Sequence, residues 1–308
     1  MKRRTVTRYL LVTGAVSFFS RLFGSQDYVL RSDVRLVLLD VSVRDRPGNF
    51  VSNLSRENFH VLENGIPQHI TVFDKEDAPV TLGLLVDESG SMTPKRNEVL
   101  AAAGTLIGTS NPRDEIFVLN FNDAVRPGLP PGTLFSDNAA QLRAALYRGV
   151  PTGRTALHDA VMDGLHQLGL GRRARKGLVV ISDGRDNISL HSRAEMLAAV
   201  ESSLATIYTI GLFDADADDS DPRILRRLAD VSGGDSFFPE QPSGMTEACR
   251  RIANEIRRRY TIGYVPLPDN HGPLRHIQVR VSAPGRSALS ARTRTRYRYD
   301  QQDDSHHQ

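Results

Sequence analysis

The sequence predicts an α/β protein with a doubly wound, mostly parallel sheet, helices on both faces, and β segments at its N- and C-terminal ends. Short, unbroken apolar runs at 81–87, 114–121, 177–183 and 205–213 alternate with helical patterns. This alternation is typical of a parallel sheet whose strands are covered on both faces. The 308 residues, of which 40% are hydrophobic, are enough for one large core and a smaller one.

The N-terminus has the layout of an export signal. A cationic start at residues 2–4 is followed by an apolar stretch from Tyr9 to Phe19, which Arg21 interrupts. That stretch is too short to span a bilayer of about 30 Å as a helix. Residues 1–26 are therefore predicted to be a signal peptide or an N-terminal anchor. The expected location is the periplasm or the extracellular space, with membrane contact only through an uncleaved N-terminus.

Residues 27–79 are predicted to form the N-terminal β segment. The run 33–44 is rich in Val and Leu and is closed by turn residues at 46–49. Two further apolar runs within 59–74 are separated by Asn64-Gly65, a dipeptide that favours a tight hairpin.

Residues 80–259 are predicted to be the α/β domain. Its apolar strands are joined by helical patterns at 94–109, 137–148, 155–168, 192–204, 221–231 and 243–259. An open sheet of this kind binds ligands at the carboxyl ends of its strands. The polar sequences DESGS and DGRDN stand at two such ends.

Residues 260–299 return to a β pattern, and residues 300–308 are predicted to be a disordered tail. We expect the C-terminal β segment to pair with the N-terminal one, so that the α/β domain is inserted into a small β-sandwich. Two separate small β units would give the same sequence pattern.

Four arginines near the C-terminus alternate with Thr and Tyr, and they are called the arginine stripe below: Arg292, Arg294, Arg296 and Arg298. A period of two places all four on one face of a strand. This favours the solvated face of a half-buried strand over the alternative, a docking stripe for an anionic partner.

Oxygen-bearing side chains cluster at the predicted strand ends. Asp87, Ser89 and Ser91 alternate directly after the first central strand, while Thr155 opens a helix and Asp183 ends another strand. Converging carboxylate and hydroxyl oxygens suit a hard divalent cation such as Mg²⁺. Two carboxylates and three hydroxyls from three loops would leave one coordination position open for a carboxylate from a partner protein. The alternative is a loop whose hydroxyls cap the next helix.

These residues resemble the metal-ion-dependent adhesion site of the von Willebrand factor A domain. DESGS matches the DxSxS motif of that family, and Thr155 and Asp183 match its second and third loops. The resemblance implies Mg²⁺ or Mn²⁺, with Ser89, Ser91 and in some states Thr155 touching the metal and Asp87 and Asp183 acting largely through water. The flanking β segments resemble those of the bacterial VWFA-related family of acidobacterial type. One departure is Arg154, where the family usually has glycine, and we expect it to contact the partner.

The function predicted from these observations is metal-dependent protein binding by an exported module that captures an Asp or Glu carboxylate. The alternative is a structural or assembly module of the cell envelope whose metal is purely stabilising. An intracellular assembly factor is the third hypothesis. It would require an N-terminus that stays uncleaved and inside.

Other classes of function find little support in the sequence. The sequence contains no basic patch with interleaved aromatic residues, so nucleic-acid binding is not predicted. We expect no enzymatic activity, because Ser89 stands where phosphoaspartate hydrolases carry a second Asp and Asp87 replaces the glycine of a GxSxG elbow. His158 is the nearest candidate base and is expected to be structural. The acidic loop 213–222 fails the pattern of an EF-hand, and Asp186 and Asn187 are expected to be solvated.

Overall fold

The computed structural model describes residues 36–75, 77–149, 151–213, 220–241, 243–267, 272–286 and 288–298. The predicted export signal, most of the acidic loop and the C-terminal tail lie outside these residues. Within the described part of the chain, no helix combines the length and apolar character needed to cross a membrane.

The elements alternate along the middle of the chain and are all β at its ends. The strands are β1 (Val37–Arg44), β2 (Phe59–Glu63), β3 (Ile66–Gln68), β4 (Ile70–Asp74), β5 (Val80–Asp87), β6 (Glu115–Phe121), β7 (Val125–Pro127), β8 (Arg175–Ser182), β9 (Thr206–Gly211), β10 (Ser236–Phe237), β11 (Tyr260–Tyr264), β12 (Leu274–Val281), β13 (Ser290–Arg292) and β14 (Arg296–Arg298). The α-helices are α1 (Arg96–Gly108), α2 (Ala139–Leu146), α3 (Leu157–Leu170), α4 (Arg193–Ser202), α5 (Pro222–Ser232) and α6 (Gly244–Arg257).

The central sheet has the strand order β10-β9-β8-β5-β6-β7. All neighbouring pairs are parallel except β6 and β7. Every residue of β5 and β6 is buried, because α1, α2 and α6 pack together on one face and α3, α4 and α5 on the other. The predicted doubly wound α/β fold is confirmed.

Two smaller sheets flank the central one and combine strands from both ends of the chain. Their orders are β13-β1-β11-β4 and β14-β12-β2-β3. Both are antiparallel and share a core that includes Leu39, Val41, Phe59, Tyr260 and Ile262. The hairpin between β2 and β3 turns at Asn64 and Gly65, both of which have positive φ, as the Asn-Gly dipeptide favours.

Local sequence signals account for the starts of several helices. Ser192 and Glu195 form a reciprocal capping box at α4, and Asp221 caps α5 just before Pro222. The main difference is at α1, which was predicted from residue 94 and starts at Arg96. Residues 90–95 form a 3-10 helix that contains Pro94, whose ring disfavours a regular α-helix at that point.

The arginine stripe departs from the prediction, because its four members do not lie on one solvent-exposed face of a single strand. Arg292 pairs with Asp230 at 2.9 Å and Asp235 at 3.0 Å, and Arg296 pairs with Glu201. The chain crosses from one flanking sheet to the other between β13 and β14. Arg292 and Arg296 therefore lie against acidic residues of the α/β domain.

A buried polar network joins the flanking sheets to the α/β domain. Arg259 donates to the Glu255 carboxylate at 2.6 Å and to the carbonyl oxygens of Asp40 at 3.0 Å and Gly233 at 2.7 Å. Arg44 donates to the same Glu255 carboxylate at 2.7 Å. Because these groups are paired across the joint, the orientation of the α/β domain on the flanking sheets is well defined.

Candidate functional site

The predicted metal site lies at the carboxyl edge of the central sheet. Asp87 is the last residue of β5, and Asp183 follows β8 on the adjacent parallel strand. Ser89 and Ser91 stand at the start of the 3-10 helix. The Oγ atoms of Ser89 and Ser91 are 3.2 Å apart, and Ser91 Oγ donates to Asp183 Oδ2 at 2.7 Å. Four of the five predicted ligands thus form one connected group.

Asp87 is fixed in place by two donors. Its Oδ1 accepts from the Ser89 amide at 2.8 Å and its Oδ2 accepts from Ser182 Oγ at 2.6 Å. The residue is only 2% exposed. Burial raises the pKa of Asp87 to about 6; the hydrogen bonds from Ser182 and Ser89 oppose this shift, and the nearby Asp183 charge adds to it. A bound cation would relieve the cost of keeping both carboxylates ionised.

Thr155 is buried in a second loop that is tied to the other two. Its amide donates to Asn187 Oδ1 at 2.8 Å, and the Asn187 amide donates to its carbonyl at 3.0 Å. The amide of Gly90 donates to the carbonyl of Gly153 at 3.2 Å. Hydrogen bonds between backbones and an amide side chain therefore hold all three predicted loops together at one edge.

The donor set fits a small octahedral cation. Metal–oxygen bonds of about 2.1 Å imply an octahedral edge of about 3.0 Å. The Oγ atoms of Ser89 and Ser91, which are both predicted to touch the metal, are 3.2 Å apart, close to that value. In the described residues no group of three or more His, Cys, Asp or Glu side chains could hold a metal. A cation here would rely on hydroxyl oxygens together with two carboxylates.

Asp186 has a positioning role that the sequence analysis missed. Its Oδ1 accepts from the His158 amide at 3.0 Å and from Ser189 Oγ at 2.5 Å, and its Oδ2 is 3.2 Å from His158 Nδ1. The expectation of a solvated side chain is wrong, because Asp186 satisfies donors at the start of α3. His158 is held in this contact, as expected of a structural histidine.

Arg154 lies on the exposed rim of the second loop and forms a pair with Asp123. Its amide and its Nε lie 3.1 and 3.3 Å from Asp123 Oδ1, and its side chain is 62% exposed. Gly153 precedes it with a φ of +78°, and a Cβ at that position would come within 1.9 Å of Asp123 Oδ2. Asp123 was missed from the sequence, although it follows β6 at the same sheet edge.

Comparison with known proteins assigns the family. Residues 82–248 match the model of the von Willebrand factor type A domain, and the chain belongs to this family. The matched region includes Asp87, Ser89, Ser91, Thr155 and Asp183. No curated protein matches the chain in a sequence comparison.

Solved structures agree on the fold. A von Willebrand factor type A protein from Catenulispora acidiphila is 16% identical with a TM-score of 0.52, over 89% of this chain and 76% of that one. Proximal thread matrix protein 1 from the mussel byssus is 14% identical with a TM-score of 0.51, over 63% of this chain and 51% of that one. At these identities the likeness concerns the fold alone.

Proposed function

We propose that this protein is an exported binding module that uses a divalent cation to capture an Asp or Glu carboxylate of a partner protein. The observation that carries the proposal is the connected group of Ser89, Ser91 and Asp183 oxygens beside the buried Asp87. Membership of the von Willebrand factor type A family supports a role in protein interaction.

The contacts described above suggest roles for Ser89, Ser91, Asp87 and Asp183, and the family resemblance suggests that of Thr155. The hydroxyl oxygens of Ser89, Ser91 and Thr155 would hold the cation, while Asp87 and Asp183 would neutralise its charge. Because Ser91 donates its proton to Asp183, its oxygen lone pairs remain available as a ligand. A bound Mg²⁺ or Mn²⁺ would supply an electron-poor coordination position that accepts a carboxylate.

Arg154 provides a second contact at the rim. Its guanidinium is mostly exposed and is oriented by Asp123 at 3.3 Å. Exposed ion pairs of this kind contribute little free energy. A carboxylate of a partner protein can therefore replace Asp123 beside Arg154 at little cost. We expect the pair to influence which partner binds more than how strongly the metal is held.

We propose no enzymatic activity and no nucleic-acid partner. Ser91 is paired with Asp183 rather than with a base, and His158 is engaged by Asp186. Three of the stripe arginines, Arg292, Arg296 and Arg298, face acidic residues of the same chain, so the stripe offers little basic surface. Export is proposed from the cationic and apolar layout of residues 1–26.

Calorimetric titration of Mg²⁺ and Mn²⁺ into metal-stripped protein tests the metal site. We expect saturable one-site binding, and at least a tenfold loss of affinity in Ser89→Ala. Ser110→Ala is the matched control, because that hydroxyl donates to the Leu106 carbonyl within α1 and lies away from the site. Absence of binding in folded wild-type protein, or equal affinity in Ser89→Ala, would contradict the proposal.

A structural or envelope-assembly role is the second candidate function. The hydrogen bond that Ser91 donates to Asp183 favours it, since a site whose ligands pair with each other can bind metal without presenting it to a partner. A partner protein can be selected from a displayed protein library in the presence of Mg²⁺. The two functions differ in whether removal of the metal then releases that partner. Release of the partner from still-folded protein supports capture of a carboxylate, whereas retained binding supports the structural role.

A further inference from the structure

A cavity of about 140 Å³ lies at the end of the α/β domain opposite the metal site. Its walls include Leu38 from β1, Arg175 at the start of β8, and Thr293 and Arg294 between β13 and β14. The eight residues of β8 separate Arg175 from Asp183, a distance of about 25 Å at about 3.3 Å per residue. The cavity is therefore distinct from the site described above.

Arg294 leaves a buried positive charge in this wall without a carboxylate partner. The residue is 5% exposed, and its Nη2 donates to the carbonyl oxygen of Ser203. No described carboxylate forms an ion pair with it, unlike Arg292 and Arg296 on either side. Burial lowers the pKa of Arg294 to about 10, and the charge of Asp40 offsets this only in part. Burying a cation whose only partner is a neutral acceptor costs free energy, and an anion bound beside it would lower that cost.

Two further buried donors in the same wall have no described partner. They are Arg175 Nη1 and Thr293 Oγ1. The remaining nitrogens of Arg175 are used, because Nη2 donates to the Arg259 carbonyl at 2.9 Å and Nε to Thr261 Oγ1 at 3.0 Å. Buried polar atoms in folded proteins usually have a hydrogen-bond partner, and a ligand in the cavity could supply one for these two donors. Both belong to residues that line the cavity.

The charges around the cavity select a monoanion. Asp40 also lines it, but its carboxylate is already offset by Arg175 at 3.5 Å and by Thr261 at 3.3 Å. Among the described residues that line the cavity, Arg294 is an arginine with which no carboxylate forms an ion pair. A dianion such as phosphate would meet the carboxylates of Asp40 and Asp74, which both line the cavity.

The volume and the apolar walls of the cavity limit the size and the polarity of the remainder of the ligand. Leu38, Ala78 and Pro79 supply apolar surface. A cavity of about 150 Å³ accommodates a molecule the size of benzene. We propose that this cavity binds a small monocarboxylate with a short apolar tail, whose carboxylate pairs with Arg294.

Such a ligand would touch both parts of the molecule, because Leu38 and Arg294 belong to the flanking segments while Arg175 belongs to the α/β domain. It would add to the contacts that already join them at Glu255 and Arg259. The inference does not depend on the function proposed for the metal site.

Calorimetric titration of butyrate into the metal-stripped full chain tests the proposal, since without metal a carboxylate cannot be captured at Asp87 and Asp183. We expect saturable one-site binding of butyrate, and none of butanol, butylamine or phosphate. Arg294→Met should weaken binding at least tenfold. Arg298→Met is the matched control, because that side chain is 46% exposed, lies on the same segment and does not line the cavity. It should leave the affinity unchanged.

Ala78→Leu provides a second variant that leaves every charge in place. It fills part of the cavity and should abolish butyrate binding while circular dichroism shows an unchanged fold. Failure of wild-type protein to bind butyrate would overturn the proposal. Binding that survives both Arg294→Met and Ala78→Leu would also overturn it, because the carboxylate would then bind elsewhere.

Discussion

Replacing Asp87 by Asn should stabilise the metal-free protein and at the same time remove its response to metal. The asparagine side chain has the same shape: its Oδ1 can accept from the Ser89 amide, and its Nδ2 can donate to the Ser182 hydroxyl, which reverses the direction of that second hydrogen bond. It carries no charge, so the cost of burying an ionised carboxylate beside Asp183 disappears. The same change removes one of the two carboxylates that neutralise a bound cation.

The magnitude follows from the pKa of Asp87, which burial raises from 3.8 to about 6. At about 1.36 kcal/mol per pKa unit, the ionised form costs the folded state about 3 kcal/mol. This cost is absent below pH 3.8, grows as the pH rises, and is complete above about pH 6. The stability advantage of Asp87→Asn should therefore appear between about pH 4 and pH 6 and stay constant above that range.

Urea denaturation of metal-stripped protein at a series of pH values measures this difference. Asp159→Asn is a control of opposite sign. Burial of Asp159 favours a higher pKa, but hydrogen bonds from the backbone of Leu190 and His191 outweigh it and lower the pKa. That variant should lose stability at neutral pH, and the loss should shrink in acid. An Asp87→Asn protein that is less stable than wild type at pH 7 without metal would refute the reasoning.

Three further changes test the supports of the site and the joint. Asn187→Ala removes the acceptor for the Thr155 amide and should weaken metal binding about fivefold, about 1 kcal/mol, by calorimetry; unchanged affinity would contradict its positioning role. Glu255→Ala leaves the buried Arg259 without a carboxylate and leaves Arg44 with Asp235 alone, and it should lower the free energy of unfolding by about 3–5 kcal/mol in urea, where a loss under 1 kcal/mol would count against the network. Gly153→Ala places a Cβ against Asp123 at positive φ and should cost about 1–3 kcal/mol; a neutral effect on urea unfolding would show that the loop has another conformation.

The α/β fold could be predicted from the sequence because the sequence patterns that indicate its strands and turns are local. Unbroken apolar runs such as β5 report burial on both faces, and Asn64-Gly65 sets the turn of its hairpin without help from distant residues. The arginine stripe was misjudged for the opposite reason. The prediction from the two-residue period assumed one continuous strand, whereas the chain changes sheets between Arg292 and Arg296. The acidic partners are Glu201 on α4, Asp230 on α5 and Asp235 just before β10, all far away in sequence.

The residues predicted as metal ligands lie together at one edge of the sheet, whereas the residues that support them were not predicted. Asp87, Ser89 and Ser91 form a compact motif, and the rule that parallel strands end at one edge brings Asp183 beside them. Asn187 and Asp123 act through the backbone of the second loop. Their roles depend on how three loops meet, which no single stretch of sequence specifies.

The central claim is that hydroxyl and carboxylate oxygens at this sheet edge hold a divalent cation. The most direct measurement is a crystal structure of the protein grown with Mn²⁺, using anomalous scattering to locate the metal. The account predicts one peak within about 2.2 Å of the Oγ atoms of both Ser89 and Ser91. Anomalous density elsewhere, or none at these serines at saturating Mn²⁺, would contradict it.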